Sequence, residues 1–178
     1  MEDNNVRLRE LIVSDKPKVA KLINNKKIWD NVRDYIPYPY DQDDAETFIL
    51  GTKEKLPRQA LAIVFNDELC GVISLIVQDD IYKRSAEIGY WIGEPYWGKG
   101  IATKAVALIT HYGFKKLNLI RIYAGIFEYN TASMHVLEKN GYKKEAIFQK
   151  AVFKNNQIWD EHRYFILNEN AVKKYNMS

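Results

Sequence analysis

The chain has 178 residues, of which 47% are hydrophobic and 28% charged, so it is long enough for one ordinary domain and lacks the composition of a disordered chain. Its 26 basic and 23 acidic residues leave a formal charge of +3 with no basic block, which argues against nucleic-acid binding. No apolar run approaches the roughly 20 residues of a membrane-spanning helix, so a membrane protein is not expected.

The cysteine count and the start of the chain bear on its location. The single cysteine, Cys70, cannot form an internal disulfide, so nothing points to an oxidising compartment. The polar segment Met1–Asn5 lacks the basic and apolar regions of a secretory signal. We therefore expect a soluble cytoplasmic protein with one domain over residues 1–178.

The amino-terminal third alternates between strand and helix signals, without a linker or a repeat. Val6–Leu11 predicts a short strand, and Ser14 or Asp15 is expected to cap the helix that follows. The inward side chains of that helix are expected to be Val19, Ala20, Leu22 and Ile23. In the aromatic stretch Trp29–Tyr40, two prolines exclude a regular helix. A helix beginning at Asp41 is then expected to bury Ala45, Phe48 and Ile49.

The middle of the chain predicts an antiparallel meander followed by a helix. Its strands are Ala60–Phe65, Leu69–Val77 and Ala86–Ile92, with a tight turn at Asn66–Glu68. Gly93–Gly100 is rich in glycine and aromatic residues. After it, apolar residues recur at helical spacing: Ile101, Ala102, Ala105, Leu108, Ile109 and Tyr112.

The carboxy-terminal third predicts a strand, a short helix and a hairpin. The strand is Leu119–Ile126, and the helix starts at Asn130 and ends before Gly141. Tyr142–Phe153 and Ile158–Leu167 are expected to pair across a turn at Asn155 and Asn156. The elements together predict an α/β domain of the α+β kind.

The most informative segment, Glu87–Thr103, runs from a predicted strand through a glycine-containing loop into a predicted helix. Gly98 and Gly100 let the backbone approach a ligand, because no Cβ is in the way. A helix start offers unpaired N–H groups and roughly half a positive charge, which suits a diphosphate. Glycine before a helix is also common without a ligand, so the loop alone leaves a purely structural role open.

Two familiar phosphate-binding motifs do not fit this loop. G-x-x-x-x-G-K-[ST] is absent because Lys99 lies between the glycines, and G-x-G-x-x-G fails because Thr103 stands at its last glycine. An ATPase and a dehydrogenase are therefore disfavoured.

At this loop the sequence resembles the GNAT superfamily of N-acetyltransferases, whose coenzyme A loop reads Q/R-x-x-G-x-G/A. The corresponding frame is Trp97–Ala102, and its first residue departs from the general pattern in the way typical of the ribosomal-protein N-terminal, or Rim-type, branch. A second block, Asn130–Ser133 with Leu137–Tyr142, is similar to that branch's N-x-x-S…K-x-G-F/Y segment. Further similarity lies at Arg7–Arg9, Tyr38–Tyr40 and Trp159–Asp160, so the resemblance spans nearly the whole chain.

The resemblance implies a GNAT fold and acetyl-CoA as donor. The fold would be a mixed, mostly antiparallel sheet flanked by helices, with strands that splay apart after Gly93 at the coenzyme A cleft. The backbone of the loop would hold the pyrophosphate, and the strand edge at Trp91–Gly93 would pair with the pantetheine arm. Asn130 would bond that arm, unless it is only a helix cap. The implied donor-binding residues are Trp91, Ile92, Gly93, Trp97, Gly98, Lys99, Gly100, Ile101, Ala102, Thr103, Asn130 and Ser133.

Acetyl transfer to an amine needs an unprotonated nucleophile and a thiolate that gains a proton, but no covalent enzyme intermediate. Many GNAT enzymes supply the proton from a tyrosine, whose matching position here is Leu137. By resemblance to the Rim-type branch, Ser133 is the candidate acid, with a plain helix-surface serine as the alternative. Glu87 is the candidate base and would act through water. A structural ion pair with a neighbouring Lys or Arg is at least as good an interpretation of Glu87. Asp160 is a weaker candidate for the base.

No metal is expected, because His111, His135 and His162 lack the spacing of metal ligands. Cys70 is interpreted as a small core residue rather than a nucleophile.

The acceptor-covering region of the family corresponds to the aromatic stretch near residue 35. The predicted substrate-binding residues are Trp29, Arg33, Tyr35, Tyr38, Tyr40, Glu87 and Asp160. By family resemblance, protein amino termini are the first choice of acceptor. An α-amine loses its proton for under about 1 kcal/mol at neutral pH, against roughly 4 kcal/mol for lysine, so a weak or missing base also favours an amino terminus. A small amine such as a polyamine, amino acid or antibiotic stays open, as do a non-catalytic acyl-CoA sensor and a homodimer.

Overall fold

The computed structural model describes residues 2–3, 5–54 and 56–176, and most of the helices and strands within them match predicted elements; β1, α2 and α6 were not predicted. The helices are α1 (Lys16–Ile23), α2 (Lys26–Trp29), α3 (Gln42–Thr52), α4 (Ile101–Lys115), α5 (Thr131–Lys139) and α6 (Glu169–Asn176). The strands are β1 (Glu2–Asp3), β2 (Val6–Arg9), β3 (Ala60–Phe65), β4 (Glu68–Val77), β5 (Ser85–Ile92), β6 (Arg121–Phe127), β7 (Lys143–Lys154) and β8 (Gln157–Leu167). Met1 and Asn4 of the polar segment Met1–Asn5 lie outside the described residues.

The strands follow the order β1-β2-β3-β4-β5-β6-β8-β7. Pairing is antiparallel from β1 to β4 and again between β6, β8 and β7, whereas β5 and β6 run parallel. The prediction of a mixed, mostly antiparallel sheet flanked by helices is therefore confirmed.

The chain divides into two compact units, one of residues 1–74 and 90–108 and the other of residues 75–89 and 109–178. The single domain expected over residues 1–178 stays a prediction. In the first unit, the predicted inward side chains of α1 join one core, together with residues of α3, β3 and β4. In the second unit, alternate residues of β6 are buried, namely Ile122, Ala124 and Ile126.

Two details near the amino terminus differ from the sequence-based expectations. The carboxylate of Asp15 does not cap α1; it accepts hydrogen bonds from the Arg9 guanidinium, both at 2.7 Å, and from the Ile12 amide at 3.0 Å. Phe48 is 38% exposed, although Ala45 and Ile49 are fully buried. The helical repeat places Phe48 roughly 80° from the middle of that buried stripe, which leaves its ring at the margin.

The closing hairpin of β7 and β8 confirms the predicted turn. Asn155 and Asn156 have φ values of +55° and +57°, the left-handed conformations that a two-residue hairpin turn requires. The register of the two strands shifts between Phe148 and Val152, where Lys150 has a φ of +54°. This irregularity is a bulge in β7.

Candidate functional site

The loop before α4 has the backbone that its glycines predict. Gly98 and Gly100 have φ values of +74° and +72°, a region that residues with a side chain rarely adopt. A Cβ added to either glycine would meet no atom within 4 Å. The glycines are therefore required by backbone conformation and not by crowding, and the loop surface beside them is open.

The amides of this loop are available to a ligand. Within the part of the chain that the structure describes, the N–H groups of residues 98–102 donate to no protein acceptor. The first backbone bond of the helix runs from the Lys104 amide to the Gly100 carbonyl, at 3.2 Å. No acidic side chain lies in the first turn of α4 to compete for the same donors. Unpaired amides at the start of a 15-residue helix are donors from which an anion such as a diphosphate can accept hydrogen bonds.

Three side-chain contacts fix the preceding residues, Glu94–Trp97, within the first unit. The Trp97 indole N–H donates to the Ile92 carbonyl at 2.6 Å. The Tyr96 hydroxyl donates to Glu68 at 2.6 Å, and this bond, with the nearby ammonium group of Lys18, lowers the pKa of Glu68.

The third contact joins Glu94 to α2 and its cap. Glu94 accepts a bond from the Asn25 side-chain amide at 2.7 Å and another from the Lys27 ammonium group. Lys27, followed by Asn25, lowers the pKa of Glu94. The approach to the loop is therefore held to α1, α2, β4 and β5 before any ligand binds.

The strand edge at Trp91–Gly93 is partly engaged by the protein. The Gly93 amide donates to the Cys70 carbonyl at 2.8 Å, and the Ile92 carbonyl accepts from Trp97 as described. A Cβ on Gly71 would lie 2.3 Å from the Trp91 carbonyl oxygen, so β4 and β5 approach closely there.

The parallel pairing of β5 with β6 covers only three residues of each strand. It ends at Glu87 and Tyr123, although β5 continues to Ile92 and β6 to Phe127. The expectation that the strands separate after Gly93 is thus wrong in position, because pairing stops six residues earlier.

The predicted acceptor residues of the aromatic stretch fall into two groups. Tyr35 and Tyr38 are exposed, at 72% and 42%, as is Arg33. The Trp29 ring lies 5.6 Å from the Tyr38 ring, and its N–H donates to the Ile36 carbonyl. Tyr40 instead belongs to the core, and burial, with Asp44 and Asp41 nearby, raises its pKa to about 12. Tyr40 is therefore a core residue and not an exposed side chain of the aromatic stretch.

In the second unit, Asn130 caps α5 as predicted. Its side-chain oxygen accepts from the Ser133 amide at 3.1 Å. Ser133 lies half-buried in the first turn, and Leu137 is fully buried one turn later. The position that bears a tyrosine acid in many GNAT enzymes is therefore filled here by a core side chain.

The two candidate bases have different surroundings. Glu87 is half-buried on β5, beside Tyr123 in register. Asp160 accepts bonds from the Lys150 amide at 2.9 Å and from the Lys150 ammonium group at 3.1 Å, and these lower its pKa. Asp160 thus holds the bulge of β7 in place.

Sequence reasoning missed a buried carboxylate on the neighbouring strand. The side chain of Glu161 is 10% exposed, and one of its oxygens accepts two bonds from Arg163, at 3.1 and 2.6 Å. A Cβ on Gly125 would lie 2.5 Å from this carboxyl group. An isolated glycine inside a strand signals such a close approach, so Gly125 was the available clue.

Two features are absent from the described residues, a metal-binding cluster and a membrane-spanning helix. No group of three or more His, Cys, Asp or Glu side chains is arranged to hold a metal ion. None of the described helices has the length and apolar character needed to cross a membrane.

Comparison with known proteins places this geometry in a family. The model of the acetyltransferase (GNAT) domain matches residues 5–143. The N-acetyltransferase YnaD of Bacillus subtilis is 35% identical over 144 residues, covering 78% of this chain and 82% of its own. Spermidine N-acetyltransferase from Vibrio cholerae, solved with CoA and spermine, superposes with a TM-score of 0.81 at 26% identity, covering 96% of this chain and 99% of that one. RimL, the ribosomal L7/L12 α-N-protein acetyltransferase solved with coenzyme A, has a TM-score of 0.80 at 25% identity, covering 93% and 95%.

The fold and the matching family model define an acyltransferase whose donor is a coenzyme A thioester. The chain belongs to the GNAT acetyltransferase family. It is an acetyl-CoA-dependent N-acetyltransferase, and similar proteins have been solved with CoA or acetyl-CoA bound.

Proposed function

We propose that the acceptor is the α-amine at the amino terminus of a protein, with a ribosomal protein as the first to test. The observation that carries this proposal is the likeness to RimL, a ribosomal-protein α-N-acetyltransferase that superposes on this chain with a TM-score of 0.80. Among the described residues, the carboxyl groups with displaced pKa values are Asp15, Glu68, Glu94, Glu138 and Asp160, and bonds within the protein lower the pKa of each. None of these five has the raised pKa of a carboxylate tuned as a base for pH 7. An α-amine acceptor needs little help to lose its proton.

For the donor, we propose that the backbone of Gly98–Thr103 holds the pyrophosphate of acetyl-CoA. The unpaired amides of residues 98–102 and the open surface beside the glycines support this role. The pantetheine arm pairs with the strand edge at Trp91–Gly93, and the Asn130 side-chain N–H₂, which its capping bond leaves available, donates to that arm.

The chemistry is a direct transfer. The amine nitrogen attacks the thioester carbonyl, an N–C bond forms, and the C–S bond breaks. The amine loses a proton through water to Glu87, and the departing thiolate gains one from the Ser133 hydroxyl, which solvent replenishes. Trp29, Arg33, Tyr35 and Tyr38 line the acceptor approach, and Tyr40 supports them.

The acceptor class is tested by thiol release from acetyl-CoA with matched acceptors. We expect turnover with a peptide that has a free amino terminus, and a loss of at least tenfold when the same peptide is blocked at that terminus but keeps its lysine. Spermidine serves as the competing acceptor, since a similar enzyme acts on it. Mass spectrometry then locates the acetyl group. Turnover with spermidine and with no peptide would overturn the proposal.

The dependence of the rate on pH is an independent test of the acceptor class. An α-amine has a pKa of about 8, so the rate with a peptide should level off near that pH. A lysine or polyamine amine near pKa 10.4 would keep the rate rising to about pH 10. A profile of the second kind with peptide acceptors would contradict the proposed α-amine.

A further inference from the structure

The face of the second unit that carries Glu161 is distinct from the one its helices cover. Side chains of β6 and β8 alternate, and the paired residues Phe127 and Glu161, like Gly125 and Arg163, point to the same face. On the opposite face, a Cβ added to Gly113 of α4 would lie 3.0 Å from Ile122. Helix α5 also packs there, through the bond from Tyr164 to Glu138. Neither helix therefore covers the Glu161 carboxylate.

The carboxylate is fixed in position from one side only. Arg163 binds its Oε1 atom through Nε and Nη2. The guanidinium lies 4.9 Å from the Tyr123 ring and 4.8 Å from the Phe148 ring, and both cation–π contacts favour this position. The Oε2 atom accepts no hydrogen bond from the described residues and is not among the buried polar atoms without a partner, so it keeps access to solvent.

Gly125 makes room for this arrangement on β6. The Oε2 atom lies 2.5 Å from where a Gly125 Cβ would stand, so the carboxylate rests directly on the strand backbone. Gly125 is two residues beyond Tyr123, the last residue of β6 that pairs with β5. The open oxygen therefore lies beside the part of β6 that β5 leaves without a parallel partner.

A row of aromatic rings follows on the same side. Phe127 is the register partner of Glu161, its ring lies 5.7 Å from that of Tyr129, and the Tyr129 ring lies 4.8 Å from that of Trp159. One available carboxylate oxygen beside aromatic rings is the composition that binds an alkylammonium ion, by charge and by cation–π attraction.

We infer that Glu161 Oε2, with the ring of Phe127 beside it, binds the ammonium group of the acceptor amine before that group loses its proton. This inference rests on the proposed function and assigns the acceptor-recognising charge to Glu161. Glu87, beside Tyr123 on the same face, then receives the proton. Arg163 is a positioning residue, because it fixes the carboxylate without using the open oxygen.

The test is Glu161→Gln, which keeps the shape and the Oε1 acceptor but removes the charge. We expect the acceptor KM to rise about 10- to 100-fold, because a hydrogen bond to a charged group is lost, with the acetyl-CoA KM changed less than about twofold. Glu161→Asp keeps the charge but holds it farther from the acceptor, so its acceptor KM should lie between those of the wild type and Glu161→Gln. The matched control is Glu145→Gln, a half-exposed carboxylate paired with Arg121 in the same unit, which should leave both constants unchanged.

The outcomes separate this inference from the proposed function. An unchanged acceptor KM in folded Glu161→Gln, with the wild type active, would overturn the role of Glu161 alone. A wild type that binds acetyl-CoA by calorimetry yet acetylates no peptide would remove the proposed function instead. Thermal unfolding of both variants checks that they fold. If Glu161→Gln fails to fold, the acceptor KM of Phe127→Leu is measured instead. We expect this KM to rise at least threefold, and an unchanged KM would count against the site.

Discussion

At the scale of single residues, Gly100 has the clearest requirement. Its positive φ and the empty space around it mean that a side chain would strain the backbone without hitting a neighbour. Acetyl-CoA binding should therefore depend on the charge of the new side chain as well as on the backbone strain that it causes. A pair of substitutions that differ only in charge can separate the two effects.

We predict that Gly100→Asp weakens acetyl-CoA binding at least 100-fold, because a carboxylate would face the pyrophosphate at the helix start. Gly100→Asn imposes the same backbone strain, about 1 kcal/mol, without the charge, and should bind within tenfold of the wild type. Calorimetric titration with acetyl-CoA measures both. Equal affinities for the two variants would show that charge at this loop does not matter.

The tether between Tyr96 and Glu68 gives a second prediction at this scale. Tyr96→Phe removes a 2.6 Å bond that holds the loop residues to β4. We expect the acetyl-CoA KM to rise about 3- to 10-fold with kcat unchanged, since only the positioning of the donor is affected. A fall in kcat with no change in KM would contradict a role in donor positioning.

At the scale of elements, Asn130 at the start of α5 has two roles that can be tested separately, capping the helix and binding the ligand. Its side-chain oxygen caps the helix, and the proposal gives its N–H₂ group to pantetheine. Asn130→Asp should keep the melting temperature within about 2 °C, because aspartate caps as well as asparagine, but should raise the acetyl-CoA KM. Asn130→Ala should also lose about 1 kcal/mol of unfolding free energy. An unchanged KM in Asn130→Asp would leave the residue as a cap only.

Most elements could be predicted from periodicity and turn residues, because these depend on neighbours in sequence. The Asn155–Asn156 hairpin and the Gly98–Gly100 loop are examples, since few residues tolerate their positive φ values. Helix α6 was missed because Ala171 and Val172 are almost its only small or apolar residues, which leaves little periodic signal.

The carboxylate of Glu161 could not be predicted in the same way. Its surroundings come from residues 36 positions earlier on β6 and from Phe148 on β7, and only strand pairing brings them together. Local patterns give the register of a hairpin but not which strand lies between β6 and β7. For that reason the glycine loop before α4 was visible in the sequence and the Glu161 carboxylate was not.

At the scale of the whole molecule, acid stability should depend on Asp15. Burial raises the pKa of this carboxyl, but the bonds from Arg9 and the Ile12 amide outweigh burial and lower it. A lowered folded-state pKa contributes stability that is complete above the unfolded value of about 3.9 and is lost as the pH falls through the folded value.

We therefore predict that Asp15→Asn costs about 2 kcal/mol of unfolding free energy at pH 7, because the half-buried Arg9 loses its partner. The difference from the wild type should shrink as the pH falls below about 4. Urea unfolding at several pH values measures it. Asp67→Asn, which breaks an exposed pair with Arg7, is the control and should cost under about 0.5 kcal/mol. A difference that stays constant with pH would rule out the ion pair as its source.

The proposed binding of the phosphates by peptide N–H groups has a consequence for how such enzymes diversify. A main-chain N–H donor does not depend on the side chain of its residue. Mutations can therefore change other side chains without changing the cosubstrate that the enzyme uses. Acceptor recognition by the face with Glu161 depends on its side chains, and single nucleotide substitutions can change these. A gene of this kind can acquire a new acceptor while inheriting its acetyl source unchanged.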